Sequence, residues 1–256
     1  MAKTKKKHKI DQQSFSVSAD RFDEMRAALQ RRVKPSRYLH SMGVSQTAEQ
    51  LARIYGADQT LAAVAGLLHD WDKALTPKQL KRKAKQLKLA TKSVRKHATG
   101  VLHAWTAAAT LRDEFPELPD EVLSAVAKHT CGALDMSDLD MIVFVADIIE
   151  PGRNFPDIEG LRSAVGEVCL EELFYRTYKA NLMYLLSADM VVAPPSLDVY
   201  NAYSLSHARR VAEQEQQTAM EDIAAEYRLR EQLAEQAQQQ IELAKTAAAQ
   251  RASKAK

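Results

Sequence analysis

Six side chains that bind metals in proteins are spread between residues 40 and 147. They are histidines and aspartates, and each lies at or beside an apolar segment with helical spacing: His40, His69, Asp70, His103, His129 and Asp147. An unpaired imidazole or carboxylate is costly to bury there. A cation would neutralise the carboxylates and accept the imidazole lone pairs, so we predict one shared metal site. On composition alone, the alternative is a scattered set of ordinary core and surface histidines.

The ligand types narrow the choice of metal. Histidine and carboxylate without thiolate suit iron, manganese or a similar divalent ion, and do not suggest structural zinc. The two cysteines, Cys131 and Cys169, form no CxxC pair, which argues against a disulfide framework and predicts a cytoplasmic location. No apolar run approaches ~18 residues, so we predict no membrane partner.

The elements that must position these side chains are helices. Helical spacing recurs along most of the chain and period-two alternation is absent, so we predict an all-α domain over 18–206. Asp58, Asp120 and Ser137 are the predicted N-caps, with Asp140 completing a capping box. The predicted helices are 20–32, 41–55, 58–68, 103–114, 120–129, one beginning at 137, and 158–187.

The two ends differ from the middle, because all eight glycines lie between Gly43 and Gly166. We predict a basic disordered arm over 1–17 and an Ala/Gln/Glu/Lys-rich tail over 207–256 that is helical or disordered. A weak heptad pattern makes a coiled-coil scaffold an alternative for the tail. The Pro77–His97 stretch carries nine Lys or Arg and no acid. It predicts weak nucleic-acid contact through phosphates, with a plain solvated face as the alternative.

The sequence motifs around the six side chains resemble those of a known family. They are RYLHSMGV at 37–44, AGLLHDWDK at 65–73, LH at 102–103, HTCG at 129–132 and VADIIEPGR at 145–153. Over about residues 20–206 the chain resembles the YqeK family of symmetrical diadenosine-tetraphosphatases, within the HD-domain superfamily. Two positions depart from the family pattern. Ile148 stands where lysine is common, and Asp72 stands where a small apolar residue is usual, so Asp72 either adds a carboxylate near the metals or points to solvent.

The resemblance implies an HD-domain helical bundle with an extra C-terminal helical tail. It implies two divalent ions, iron first, with His40, His69, Asp70 and Asp147 on one and His103 and His129 on the other, Asp70 bridging. A metal-activated water would split diadenosine tetraphosphate, or a similar dinucleoside polyphosphate, into two nucleoside diphosphates. Asp70 and Lys73 would be catalytic, and the substrate contacts would be Arg37, Lys73, Thr130 and Arg153.

Several alternatives stay open at this point. Lys73 lies three residues after Asp70 on one helical face, which suits a phosphate contact or a plain helix-end lysine. The enzyme could instead be another HD-domain phosphohydrolase, such as a nucleotidase or a guanosine-tetraphosphate hydrolase. The chain could also be a basic RNA- or ribosome-associated module. A homodimer is a further expectation.

Overall fold

The computed structural model describes residues 17–254, and within that range the chain is helical without a β-strand. The helices are α1 (Ala19–Arg32), α2 (Pro35–Tyr55), α3 (Gln59–Leu68), α4 (Pro77–Gln86), α5 (Lys92–His97), α6 (Leu102–Glu114), α7 (Asp120–Lys128), α8 (Asp138–Ile149), α9 (Ile158–Ser163), α10 (Leu170–Ser187) and α11 (Pro194–Lys254). One 3-10 turn (Thr99–Val101) precedes α6. The all-α prediction is confirmed.

The described chain divides into two units, one ending at Ser204 and the other beginning at Leu205. The second unit is helical, and its apolar heptad positions at Met220, Ile223 and Tyr227 are all more than half exposed. The predicted basic arm lies outside the described residues apart from Val17. The domain boundaries and the coiled coil stay predictions.

Helix α8 is central to the first unit, as its apolar sequence indicates. It packs against α2, α7 and α10, and nine of its twelve residues are buried. Ser137 caps it, and the capping box with Asp140 is present as predicted. Because α8 is surrounded on most sides, Asp147 in its last turn lies among the ends of other helices, with its side chain 14 % exposed.

Helices α2 and α3 lie unusually close together, and a glycine makes this approach possible. A Cβ on Gly66 would lie 2.9 Å from the Cα of Ser45 and 3.0 Å from the carbonyl oxygen of Val44. Any larger residue would therefore push the two helices apart. The close contact fixes His40 on α2 relative to His69, which directly follows α3.

Three of the boundaries that differ from the sequence prediction have a local cause. The N-cap of α7 is Pro119, and Asp120 is the first helical residue, where its charge favours the helix dipole. Helix α2 begins at Pro35 because proline suits the first position of a helix. The helix predicted over 158–187 is two helices, α9 and α10, separated by a turn in which Gly166 has φ +80°.

Candidate metal centre

The structure brings all six predicted ligands together. His40 lies on α2, His69 and Asp70 follow α3, and the others come from α6, α7 and α8. Four of the six are at most 2 % exposed: His69, Asp70, His103 and His129. The histidine rings meet edge to face, with His69 and His129 centroids 4.9 Å apart. The ends of five helices thus deliver six polar side chains to one buried place.

The four histidines are anchored so that the same ring nitrogen faces the centre. Three of them hold Nδ1 at 2.7 Å from the backbone carbonyl three residues earlier: His69 from Gly66, His103 from Gly100 and His129 from Val126. His40 holds Nδ1 3.0 Å from the Glu150 carboxylate. Carbonyl and carboxylate oxygens only accept, so Nδ1 carries the proton and Nε2 presents a lone pair.

Asp70 lies between two groups of these lone pairs. Its Oδ2 lies 3.3 Å from Nε2 of His69 and 3.8 Å from Nε2 of His40. Its Oδ1 lies 2.9 Å from Nε2 of His103 and 3.7 Å from Nε2 of His129. Asp147 joins the first group, since its Oδ1 lies 3.0 Å from Nε2 of His40. One carboxylate therefore faces a donor group with each of its oxygens.

The donors fit divalent metal ions. Nε2 of His40, Nε2 of His69 and Oδ1 of Asp70 are buried and have no hydrogen-bond partner among the described residues. Leaving one such group unsatisfied costs about 1–3 kcal/mol, so three in one place fit a metal-binding site better than a hydrogen-bond network. Histidine and carboxylate donors of this kind suit iron, manganese and related ions.

The protonation states are those that metal ligands require. Burial raises the pKa of Asp70, but the neighbouring His69, His103 and His129 side chains outweigh that effect and hold the pKa well below its usual value. Burial lowers the pKa of His103 to about 4, against the opposing effect of Asp70. At neutral pH the carboxylate is ionised and the His103 imidazole is neutral, as ligand binding demands.

Three predicted substrate contacts surround the carboxylates with positive charge. Arg37 Nη1 lies 2.7 Å from Oδ2 of Asp70, and Arg153 Nη2 lies 2.5 Å from Oδ1 of Asp147. Lys73 Nζ lies 3.3 Å from Nε2 of His103. Such cations balance the charge of buried carboxylates and are placed to meet an anionic substrate.

A cavity of about 470 Å³ opens beside the donors. It is lined by Lys73, Thr130 and Arg153 together with His103, His129 and Asp147. Arg37 reaches Asp70 but is not part of the cavity wall. Of the four predicted substrate contacts, Lys73, Thr130 and Arg153 therefore line the cavity, whereas Arg37 contacts the candidate metal ligand Asp70.

Asp72 is a correction to the sequence analysis, which placed it near the metals or in solvent. It is fully buried, with Oδ1 3.0 Å from Arg32 Nη2 and Oδ2 2.7 Å from Lys83 Nζ. Thr110 also donates to Oδ2, at 3.2 Å. Both alternatives are wrong, because the side chain turns away from the donors and joins the basic helix α4 to the core.

Comparison with known proteins places these residues in a family. The HD domain model matches residues 37–152, a span that holds all six donors. A symmetrical bis(5'-nucleosyl)-tetraphosphatase of Staphylococcus aureus is 32 % identical over 68 % of this chain and 89 % of its own length. The chain belongs to the family of symmetrical bis(5'-nucleosyl)-tetraphosphatases. A second protein of that name, from Halalkalibacterium halodurans, is 33 % identical over 64 % of this chain and 87 % of its own length.

A solved structure supports the fold of this tetraphosphatase-family chain. It is a predicted HD superfamily hydrolase from Clostridium acetobutylicum, described as involved in NAD metabolism. It aligns with a TM-score of 0.67 and 26 % identity, covering 72 % of this chain and 97 % of the other. Among the described helices, none has the length and apolarity needed to cross a membrane.

One residue of the tetraphosphatase-family site, Glu150, is not among the residues predicted from the sequence. Glu150 is 4 % exposed and holds His40 Nδ1, while its other oxygen accepts the backbone N–H of Gly152 at 2.6 Å. A Cβ on Gly43 would lie 2.6 Å from the same oxygen, so glycine there leaves room for the carboxylate. The available signal was an acidic residue between an apolar helix and a Pro-Gly turn. A carboxylate behind a ligand histidine fixes its ring and raises its basicity.

Proposed function

We propose that this protein hydrolyses diadenosine tetraphosphate, and similar dinucleoside tetraphosphates, symmetrically to two nucleoside diphosphates. The relatives at about a third identity carry that activity in their names. The observation that supports it best is Asp70, whose two oxygens face different pairs of imidazole nitrogens, Oδ2 those of His40 and His69 and Oδ1 those of His103 and His129. That arrangement would suit a pair of divalent ions, which would supply Lewis acidity for in-line displacement at phosphorus.

The ligand assignment is part of the proposal. His40, His69 and Asp147 hold one ion, His103 and His129 hold the other, and Asp70 serves both; iron is the first choice and manganese the second. When bound, the ions supply Lewis acidity and an activated water. The protein contributes Nε2 atoms that are held in place by the hydrogen bonds at Nδ1, and a largely buried site, so little rearrangement is needed on loading.

The cationic side chains orient the phosphate chain in this proposal. Arg153 holds Asp147 through Nε and Nη2, at 2.9 Å to the backbone oxygen and 2.5 Å to the carboxylate. Its remaining nitrogen, Nη1, is left to donate to a phosphate at the cavity wall. Lys73 approaches from the opposite donor group, and Thr130 offers a hydroxyl on the same wall. Arg37 offsets the charge of Asp70.

Product identification tests the function directly. Purified metal-loaded protein should convert diadenosine tetraphosphate to ADP alone, whereas asymmetric cleavage would give AMP and ATP. The panel should include mononucleotides and guanosine tetraphosphate, which separate the other HD-domain activities. Hydrolysis of a panel member with diadenosine tetraphosphate left intact would overturn the proposal.

A weaker proposal concerns nucleic acid. Helix α4 exposes Lys78, Lys81, Arg82 and Lys85, while Leu80 and Ala84 pack inward. Such a face neutralises phosphates without reading bases. RNA binding that weakens steeply with salt would support it, and undetectable binding at low salt would end it. We also propose a cytoplasmic location, which the two free cysteines support. A homodimer is a further proposal.

A further inference from the structure

A second recess adjoins the cavity at the metal donors and shares Arg153 with it. Its volume is about 120 Å³, and its walls are Ile148, Arg153, Asn154, Phe155, Asn181 and Tyr184. Ile148, Arg153 and Asn181 also line the 470 Å³ cavity at the donors. The two spaces therefore share a wall, and a flexible molecule can occupy both.

The walls of the recess combine aromatic rings with amides. The Phe155 and Tyr184 rings are 6.4 Å apart between centroids and tilted by 47°, and Tyr184 is 49 % exposed. Neither Asn154 nor Asn181 makes a side-chain hydrogen bond to any residue that the structure describes. An amide offers a donor and an acceptor side by side, which matches the edge of adenine. An exposed ring offers a stacking surface for the base.

The backbone explains why these groups lie beside the metal centre. Asn181 and Tyr184 are three residues apart on α10 and so share one face of that helix. Phe155 follows Arg153 by two residues on the segment that leaves α8, the helix that carries Asp147. Metal donor, guanidinium and aromatic ring thus follow one another along a single segment.

We infer that this recess binds the purine of one half of the substrate, with Arg153 at the phosphates that join it to the metal centre. The inference rests on the proposed function, because symmetrical cleavage places an identical nucleoside on each side of the reacting bond. The guanidinium meets the phosphates, the rings stack on the base, and Asn181 reads its edge. Purine nucleotides therefore bind more tightly than pyrimidine nucleotides.

Equilibrium binding of the product half tests the recess without measuring turnover. ADP, UDP and pyrophosphate are titrated into metal-loaded wild type, Tyr184→Ala and Asn181→Ala. Losing one stacked base weakens ADP binding roughly 5- to 100-fold in Tyr184→Ala, and pyrophosphate binding stays unchanged. Met183→Ala is the matched control, since Met183 is 59 % exposed on the same helix and lies outside both cavities.

The outcomes separate this inference from the proposed function. The inference is overturned if both variants bind ADP with wild-type affinity, or if their affinities for ADP and pyrophosphate fall equally. It is also overturned if the wild-type protein binds ADP and UDP with equal affinity. Undetectable ADP binding by wild type overturns it as well. If the recess binds ADP as expected but diadenosine tetraphosphate is not cleaved, the proposed function fails and the recess stands. Circular dichroism confirms that each variant is folded.

Discussion

Asp70 and Asp72 are two buried aspartates, two residues apart, with opposite surroundings. Asp72 is closed: both oxygens accept hydrogen bonds, from Arg32, Lys83 and Thr110. Asp70 is open: Oδ1 has no hydrogen-bond partner among the described residues and faces imidazole nitrogens that present lone pairs. Each carboxylate is at most 2 % exposed, so burial alone does not distinguish them.

The difference shows how one turn of chain serves two purposes. The Asp72 carboxylate, whose partners are two protein cations and a hydroxyl, is stabilised by the fold and ties the basic helix α4 to the core. At Asp70 only Oδ2 accepts a hydrogen bond from a protein cation, Arg37 at 2.7 Å, while Oδ1 lies among imidazole nitrogens, so a bound metal ion would stabilise this carboxylate further. The closed cluster, Asp72 with Arg32, Lys83 and Thr110, thus stabilises the fold. The open cluster, Asp70 with the other five metal donors, forms a candidate metal site.

Replacing Asp70 should give the largest effect. Asp70→Ala removes the side chain that faces both donor groups, so bound metal is lost and turnover of diadenosine tetraphosphate falls on the order of 10³-fold or more. Asp72→Asn, its matched partner, should keep its metal content while losing stability. Elemental analysis and product assays measure both. Full metal occupancy in Asp70→Ala would contradict the comparison.

Replacing Glu150 should give the next largest effect. Glu150→Ala releases the His40 ring from its anchor, and affinity for one ion drops about 10- to 100-fold, as expected for a carboxylate behind a ligand histidine. Metal titration of chelator-treated protein measures it. Glu167→Gln, at an exposed site, is the control. Unchanged affinity for both ions in Glu150→Ala would show that the carboxylate does not position His40.

Weakening the closed cluster should change stability rather than chemistry. Lys83→Ala leaves Oδ2 of buried Asp72 without its ammonium partner and lowers the free energy of unfolding by about 1–3 kcal/mol. Urea unfolding measures the loss, and turnover at low temperature stays at the wild-type level. Lys81→Ala, exposed on the same helix, should change the free energy of unfolding by less than about 0.5 kcal/mol. A loss of turnover without a loss of stability would contradict this assignment.

The same contrast explains which features the sequence predicts. The metal donors are predictable because the order and spacing of the six residues, together with the sequence motifs around them, resemble a known family; composition alone leaves scattered core and surface histidines as the alternative. All six donors are found together. The helix periods and the Ser137 capping box are local signals, so they are predicted as well.

The closed cluster is not predictable, because its partners lie far apart in sequence. Lys83 is one of nine basic residues in its stretch, and nothing local marks it as the one that turns inward. The sequence therefore predicts a metal ligand or a surface charge at Asp72, because the position of α4 relative to it is not known from the sequence. In the same way, the sequence alone does not show the roles of Glu150, Asn181 and Tyr184, because those roles depend on which helices meet. The break at Gly166 depends on a positive φ that the helical period conceals.

The smallest expected effect is the coupling between the two clusters. Metal bound only by the folded state stabilises it by about 2.7 kcal/mol at a hundredfold excess over Kd. Because the Asp70 and Asp72 carboxylates face different partners, this stabilisation should be the same in Lys83→Ala as in wild type, within about 0.5 kcal/mol. Urea unfolding of both proteins, with and without metal, gives the four free energies. A metal contribution reduced by more than about 1 kcal/mol in Lys83→Ala would mean that the closed cluster shapes the open one.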